Sequence, residues 1–108
     1  MRFLDLSLPL YWLPRYDWVV ILEVLEHIPA SYEPVALDNV ARTAGVGVVL
    51  SWAVLGQGGY AHVNNRSPQH VSREMRFRNF TEDDNRTRTL RAAATVSWLR
   101  KNVRVFLR

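Results

Sequence analysis

The fold is decided by the stretch Asp17-Trp18-Val19-Val20-Ile21-Leu22-Glu23-Val24, an apolar run bounded by polar residues. A run that is apolar at consecutive positions is typical of a strand covered on both faces, as in a parallel sheet flanked by helices. A second run of this kind extends from Val46 to Leu55. The two runs therefore predict two strands of one parallel sheet.

The segment between these runs has the pattern of a helix. Ser31 is a candidate N-cap, Pro34 falls in the first turn, where a missing N–H costs little, and Gly45 suits the C-cap. One buried stripe has the spacing i, i+3, i+4, i+7: Leu37, Val40, Ala41 and Ala44. Strand, helix and strand together predict a βαβ unit with a right-handed crossover.

The rest of the chain continues the alternation of helices and strands. The patterns predict a helix from Ser67-Pro68 to about Arg78, a short strand over 77–81 and a helix from Thr81 to about Thr95. Residues 96–108 alternate apolar and basic side chains, which predicts a hairpin or one bent edge strand. The fold class is α/β, with an open, mostly parallel, Rossmann-like sheet and flanking helices.

Composition excludes several classes of function. The chain has 108 residues, of which 48% are hydrophobic and 22% charged, which is enough apolar material for the core of one domain. It has no cysteine, so disulfides, thiolate metal sites, cysteine nucleophiles and thiol redox pairs are excluded. No apolar run approaches the roughly 20 residues that cross a bilayer, so we expect an intracellular, cytoplasmic protein without a membrane segment.

Charge is distributed unevenly along the chain. Residues 1–65 contain three arginines and six acids, whereas residues 66–108 contain eleven basic residues and four acids. A basic C-terminal half could contact phosphates or acidic partners. Its basic residues alternate with apolar ones, however, which favours a solvated face of helices and strands.

Chemistry is most concentrated in Glu23, Glu26 and His27, at the end of the first apolar strand. Ligands of open α/β sheets bind outside the carboxyl ends of the strands. The three side chains could hold a divalent cation such as Mg²⁺ or Mn²⁺, with His62 as a further ligand. They could equally form an acid–base pair in which His27 is the base, or simply begin a solvated loop.

The loop Gly56-Gln57-Gly58-Gly59 follows the second strand. It is not a phosphate cradle, because such a loop opens directly into a helix, and here residues 60–65 intervene. A flap over a pocket and a plain connecting loop are both compatible with this composition.

The string from Tyr16 to Pro29 resembles the fourth-strand motif of class I S-adenosylmethionine-dependent methyltransferases, an aromatic residue and Asp, a hydrophobic strand, then Glu-x-x-Glu-His-Ile-Pro. Later stretches resemble one branch of methyltransferase-like proteins in the same order: 37–40, 50–54, 56–59 with 62–64, and 99–106. The resemblance covers nearly the whole chain.

This resemblance implies that residues 1–108 are a single, partial domain, the C-terminal half of an N-terminally truncated methyltransferase fold. The family's glycine-rich cofactor loop would precede Met1. The opening residues 3–7 are similar to the end of the family's third strand, so Asp5 and Leu6 would face the adenine of S-adenosylmethionine. Leu22 and Glu23 would lie beside its methionine part.

Some relatives with the Glu-x-x-Glu-His pattern, the ubiquinone-pathway O-methyltransferases and small-RNA 2′-O-methyltransferases, bind a divalent metal through these side chains. The resemblance therefore implies Glu23, Glu26 and His27 as catalytic residues and as Mg or Mn ligands, with His62. Leu25 departs from the small residue expected in the nearest relatives.

The expected function is that of an S-adenosylmethionine-dependent methyltransferase domain, weak or inactive as this chain alone because the donor loses its main anchor. The methyl acceptor, a small molecule or a macromolecule, would bind near Glu23, Glu26, His27 and residues 56–64. The alternative is a non-catalytic remnant that acts as an interaction module. Its exposed sheet edge would allow self-association, and its basic half would supply further contacts.

Overall fold

A computed structural model of the chain describes residues 4–108. Its elements are β1 (Tyr16–Leu22), α1 (Glu33–Thr43), β2 (Ala44–Ser51), α2 (Pro68–Phe77), β3 (Thr81–Glu82), α3 (Asp84–Ala93), α4 (Ser97–Asn102) and β4 (Val103–Leu107). Two short 3₁₀ turns, Leu25–His27 and Ala30–Tyr32, connect β1 to α1. Of the opening residues 3–7, Phe3 lies outside the described part, and a turn follows Asp5.

The four strands form one sheet in the order β1-β2-β4-β3. The predicted α/β class with flanking helices is confirmed, but the sheet is mixed rather than mostly parallel. β1 and β2 are parallel, whereas β4 is antiparallel to both of its neighbours. The start of β4 at Val103 lies opposite the end of β2 at Ser51, so β4 must run back along β2.

The predicted βαβ unit is present, with changes at both ends of its helix. Pro34 lies in the first turn of α1, and the predicted stripe is buried apart from Ala41, which is partly exposed. Ser31 is not the N-cap, because it belongs to a 3₁₀ turn and Tyr32 takes that position. Gly45 is not the C-cap, because Ala44 is already extended and begins β2.

The main core lies on the face of the sheet that α1 and α2 cover. Its largest buried apolar side chains are Phe80, Phe106, Leu25, Leu37, Leu50 and Met75. On the other face α3 packs against β4 and leaves β1 uncovered. Trp18 is 40% exposed and Val20 63% exposed, so within residues 4–108 β1 is covered on one face only, not on both as predicted.

The C-terminal segment differs most from the prediction. Residues 96–108 form neither a hairpin nor an edge strand, since α4 leads into β4, an interior strand between β2 and β3. Arg104, predicted on a solvated face, is buried, and its Nη2 lies 2.7 Å from Glu82 Oε1. It also donates to the Pro68 carbonyl and the Ser72 hydroxyl. Because Glu82 pairs with Arg104, a segment that alternates basic and apolar residues can form an interior strand of the sheet.

The remaining helices begin largely as predicted. The Ser67 hydroxyl caps α2 by accepting the His70 N–H, and the Asp83 carboxylate caps α3 by accepting the Arg86 N–H. The short strand lies at Thr81–Glu82 instead of 77–81, because Asn79 takes a left-handed conformation with φ of 70° after α2 ends. No helix in the described part of the chain is both long and apolar enough to span a membrane.

The basic half is less free than its composition indicates. Four of its arginines pair with carboxylates inside the molecule: Arg66 with Glu33, Arg78 with Asp38 and Glu74, Arg86 with Asp83 and Arg104 with Glu82. Much of this positive charge therefore joins elements of the fold instead of forming one open basic surface.

Candidate functional site

Glu23 fixes the carboxyl ends of the two parallel strands to one another. It has a φ of 55°, an uncommon conformation for a residue with a side chain, directly after β1 ends. Its N–H donates to Ser51 Oγ at 2.8 Å, and this hydroxyl in turn donates to Glu23 Oε1 at 3.2 Å. Ser51 is the last residue of β2, so these two hydrogen bonds join the carboxyl ends of β1 and β2, the edge at which ligands of α/β sheets bind.

Glu26 lies in the first 3₁₀ turn and is completely buried. Among the residues described, no hydrogen-bond donor reaches either of its carboxylate oxygens. Its backbone carbonyl, by contrast, accepts the N–H groups of Val63 and Asn64, both at 2.9 Å. These two bonds bring the loop over the Glu26 side chain and place His62 Nε2 3.9 Å from Glu26 Oε1.

The environment of Glu26 favours its protonated form. Burial raises the pKa of this carboxyl to about 8, and the nearby Glu23 carboxyl contributes in the same direction. The backbone amides of Glu26 and Ala53 lie near enough to oppose part of this rise in pKa, without completing a hydrogen bond to the carboxyl. A carboxyl with a pKa near neutrality can accept or release a proton under physiological conditions.

The two histidines meet above Glu26. The His27 and His62 rings are 4.9 Å apart at their centroids, and His27 Nδ1 lies 2.9 Å from the Ala61 carbonyl oxygen. The Nδ1 of His62 is buried without a hydrogen-bond partner in the described chain. One ligand atom from each of Glu26, His27 and His62 lies within 4.8 Å of the others. Glu23, the fourth predicted ligand, is not in this group.

A cavity of about 640 Å³ opens beside this cluster. Its lining comes from the two strand ends, the glycine-rich loop and α4, namely Glu23, His27, residues 54–58, His62, Ser97, Trp98 and Lys101. Sequence reasoning missed the α4 residues, because it assigned them to a strand. The basic residues Arg100 and Lys101 in the last turn are the helix signal that was available.

The glycine-rich loop is held at Gln57. Asn65 Nδ2 donates to the Gln57 carbonyl, and Asn102 Nδ2 donates to Gln57 Oε1, both at 2.7 Å. The Gln57 N–H also donates to the Val54 carbonyl at 3.1 Å. The loop therefore joins β2 to α4 and forms one wall of the cavity.

A second group of acid and imidazole surrounds Glu33 at the start of α1. Glu33 Oε1 accepts from Asn64 Nδ2 and Arg66 Nε, both at 2.9 Å, and Oε2 lies 2.7 Å from His70 Nε2. Burial opposes the charge on Glu33, but the hydrogen bonds from Asn64, His70 and Arg66 outweigh it and hold its pKa below the ordinary value. Glu33 therefore links α1, α2 and the loop between β2 and α2.

The residues predicted to contact the cofactor lie in different places. Leu6 and Leu22 line one apolar cavity of about 540 Å³ beside β1 and α1. Asp5 is exposed. Its carboxylate accepts two hydrogen bonds from Ser7, one from the backbone N–H at 3.0 Å and one from the hydroxyl at 2.5 Å. Glu23 lines the larger cavity instead. The structure thus brings Leu6 and Leu22 together and separates Glu23 from them.

Solved structures with bound S-adenosyl compounds share this fold. Magnesium protoporphyrin IX methyltransferase (ChlM) from Synechocystis PCC 6803 with bound SAH matches with a TM-score of 0.64 and 16% identity, over 97% of this chain and 49% of that one. The same enzyme with bound SAM matches with a TM-score of 0.64 and 17% identity, over 97% and 43%. A structure described as a pericyclic reaction enzyme matches with a TM-score of 0.53 and 8% identity, over 95% and 28%.

The chain therefore shares the Rossmann-like fold of this matched methyltransferase, and it spans about half the length of the first two matched chains. No protein-family model and no curated protein sequence matches it.

Proposed function

We propose that residues 1–108 are the C-terminal half of an S-adenosylmethionine-dependent methyltransferase domain. The methyl acceptor would bind in the cavity between the acid–imidazole cluster and α4. The observation that carries the proposal is the position of Glu23, Glu26 and His62 at the carboxyl ends of two parallel strands, in a fold shared with methyltransferases. In α/β sheets this is the edge at which ligands bind.

The donor would lie along β1. Leu6 and Leu22 line the apolar cavity of about 540 Å³, which would hold the adenine ring. Asp5 precedes Leu6 in the chain and is exposed. Glu23 would meet the methionine part from the adjoining cavity. S-adenosylmethionine supplies an electrophilic methyl group when bound. Its main anchor, a glycine-rich loop, would come from polypeptide outside residues 1–108, so the chain alone would bind it weakly.

His62 and Glu26 would manage the acceptor's proton. Transfer of a methyl group to a hydroxyl or amine requires that the acceptor lose a proton, and His62 lines the cavity in which the acceptor would lie. In its ionised form Glu26, whose Oε1 lies 3.9 Å from His62 Nε2, would stabilise the imidazolium that forms. The rest of the catalytic effect would come from holding donor and acceptor in line, which can lower a barrier by about 7–11 kcal/mol.

A divalent cation is a second candidate for the same cluster. Both oxygens of buried Glu26 lack partners among residues 4–108, which is what an unfilled ligand set leaves behind. Glu26, His27 and His62 would hold Mg²⁺ or Mn²⁺, a donor set of oxygen and imidazole that Mn²⁺ accepts well. Such a cation would supply Lewis-acid activation of the acceptor.

The donor site is tested by nuclear magnetic resonance with S-adenosylhomocysteine. We expect millimolar binding, with amide shifts at Leu6, Leu22 and Glu23 and none around Glu33. Asp5→Asn should reduce these shifts, whereas Asp84→Asn, an exposed aspartate on α3, should not. Micromolar binding by this chain would contradict the need for an outside loop. Absence of shifts at Leu6 and Leu22 would contradict the donor site.

The cation is tested with Mn²⁺, which broadens nearby resonances. The amides of His27 and His62 should broaden and the melting temperature should rise, since a ligand of the native state stabilises it. Glu26→Gln should abolish both effects, and Glu74→Gln, at an acid of α2 that pairs with Arg78, should keep them. Unchanged spectra at every Mn²⁺ concentration would rule the cation out and leave the proton-transfer role in place.

A further inference from the structure

We propose that the acceptor is a small, planar aromatic molecule with an acidic group, a carboxylate or a phosphate, and that Trp98 and Lys101 of α4 select it. The inference rests on the proposed function, because it names the class of acceptor for the same cavity of about 640 Å³. Both side chains line that cavity. They are three residues apart in α4, a spacing that puts two side chains on one face of a helix. The acceptor would therefore meet an aromatic ring and a cation side by side.

Lys101 is the only lysine among the 14 lysines and arginines of the sequence. Several of the arginines pair with carboxylates inside the molecule, as Arg66 does with Glu33 and Arg104 with Glu82. Among residues 4–108 no carboxylate pairs with Lys101. Within that part of the chain its ammonium group is available to an anionic ligand, and charges attract more strongly in a partly enclosed cavity than at an open surface.

The other charges of the cavity are already assigned. Its lining contains one acid, Glu23, whose carboxylate accepts the Ser51 hydroxyl. Under the proposed function Glu23 meets the methionine part of the donor, which carries an ammonium group. The remaining titratable residues of the lining are His27 and His62, on the side of the cavity where the acceptor would lose its proton. Lys101 is therefore left to bind an acidic group of the acceptor.

Trp98 supplies a flat apolar surface against which an aromatic ring can stack, and Val54 and Leu55 add apolar lining. The volume of the cavity lies within the range of about 300–1,000 Å³ that small-molecule sites occupy. A nucleic acid strand would need a row of cations along its phosphates, whereas Lys101 is the only lining residue with a permanent positive charge. These features favour a small ring compound over a strand.

The position of α4 is fixed by its last residue and by the strand that follows. Asn102 is buried, and its Nδ2 donates to Gln57 Oε1 at 2.7 Å. The next residue, Val103, begins β4 and lies opposite Ser51 at the end of β2. The wall that α4 gives to the cavity is therefore attached to the same strand end as the opposite wall, so the recognition surface is built before a ligand binds.

The single lysine allows a direct test. Reductive methylation with carbon-13 formaldehyde labels Lys101 and preserves its charge, so nuclear magnetic resonance reports on that side chain. We expect 6-hydroxy-2-naphthoate or 2-naphthyl phosphate to shift the Lys101 signal, and the tighter of the two identifies the acidic group. The ring without an acid, 2-naphthol, should bind about ten-fold more weakly. Equal binding of 2-naphthol and both acids would contradict the proposal, as would a Lys101 shift produced by S-adenosylhomocysteine alone.

Variants of α4 separate the ring from the charge, with affinities measured from the backbone amide shift of Gly58, which also lines the cavity. Lys101→Met should weaken binding of the acids about ten-fold and leave 2-naphthol unchanged, whereas Trp98→Leu should weaken all three probes. The control Arg100→Met removes the neighbouring cation, which donates to the Ala94 carbonyl, and should bind as wild type does. Circular dichroism verifies that each variant is folded. Equal losses in Lys101→Met and Arg100→Met would overturn the proposal.

The outcomes also distinguish this inference from the proposed function. Acid binding at Lys101 without S-adenosylhomocysteine shifts at Leu6 and Leu22 would retain the aromatic-acid site and contradict the donor site. Shifts at Leu6 and Leu22 with no binding of either acid would contradict only the inference about α4.

Discussion

Glu26 and Glu33 are both buried and both lie beside a histidine, but their surroundings differ completely. Glu33 receives hydrogen bonds from Asn64 and Arg66 and contacts His70, and its pKa is lowered. Glu26 has no partner for either oxygen in the described chain, and its pKa is raised to about 8. Since buried polar groups are almost always paired, the contrast separates an acid that stabilises the fold from one available for a ligand or a proton.

Glu33→Ala should produce the largest loss of stability. It removes one partner each from Asn64, Arg66 and His70, and breaking a buried ion pair costs about 3–5 kcal/mol. Because Arg66 remains about one-third exposed, we expect the lower end of that range. Urea denaturation monitored by tryptophan fluorescence measures the effect. A loss below about 1 kcal/mol would mean that the Glu33 network does not stabilise the fold.

Glu26→Gln should raise stability at pH 8, whereas Glu33→Ala should lower it. The native pKa of about 8 lies above the ordinary 4.5, so between these pH values the native state binds more protons than the unfolded state. Wild-type stability attributable to Glu26 is therefore greatest at low pH and falls as the pH rises toward 8.

Melting curves from pH 5 to pH 9 test this difference. Glu26→Gln should flatten the decline and melt higher than wild type at pH 8, at about 4–8 °C for each kcal/mol gained. The control Glu74→Gln should keep the wild-type slope. If Glu26→Gln melted lower at pH 8, the Glu26 carboxylate would have a stabilising partner and the comparison with Glu33 would fail.

His70→Gln tests how much one of the three contacts to Glu33 contributes to stability. It weakens one contact to a charged carboxylate, so we expect a loss of about 1–2 kcal/mol in urea denaturation. Glu33 retains Asn64 and Arg66, which is why the effect should be smaller than that of Glu33→Ala. A loss equal to that of Glu33→Ala would show that His70 carries the network alone.

His62→Gln should have the smallest effect on stability, within about 0.5 kcal/mol. Within residues 4–108 no hydrogen bond holds the His62 ring, since its Nδ1 lacks a partner there and its Nε2 is 3.9 Å from Glu26. The same urea measurement compares it directly with His70→Gln. A loss larger than that of His70→Gln would identify His62 as part of the fold's support.

Local pattern was sufficient to predict the first half of the fold. Consecutive apolar residues located β1 and β2, and Pro34 with its apolar stripe located α1. The Ser67-Pro68 pair likewise located the start of α2. These features depend on residues close in sequence, so periodicity and capping chemistry reveal them.

What could not be predicted depends on distant partners. Arg104 can lie in an interior strand because Glu82 neutralises its charge. The alternation of basic and apolar residues by itself predicts a strand with one solvated face. The structural role of Glu33 could not be predicted from the sequence, because its three partners lie more than 30 residues away along the chain. His62 was recognised only as a possible further ligand, because the bonds from Val63 and Asn64 to the Glu26 carbonyl place it.

Those two amide bonds have a consequence for how the cavity can change. The hydrogen bonds that hold residues 62–64 come from backbone groups and from Asn64. We therefore expect that an amide or an alcohol can replace the imidazole while the loop keeps its course. Position 62 is thus a natural point at which evolution or engineering can alter the chemistry of this cavity without rebuilding the protein around it.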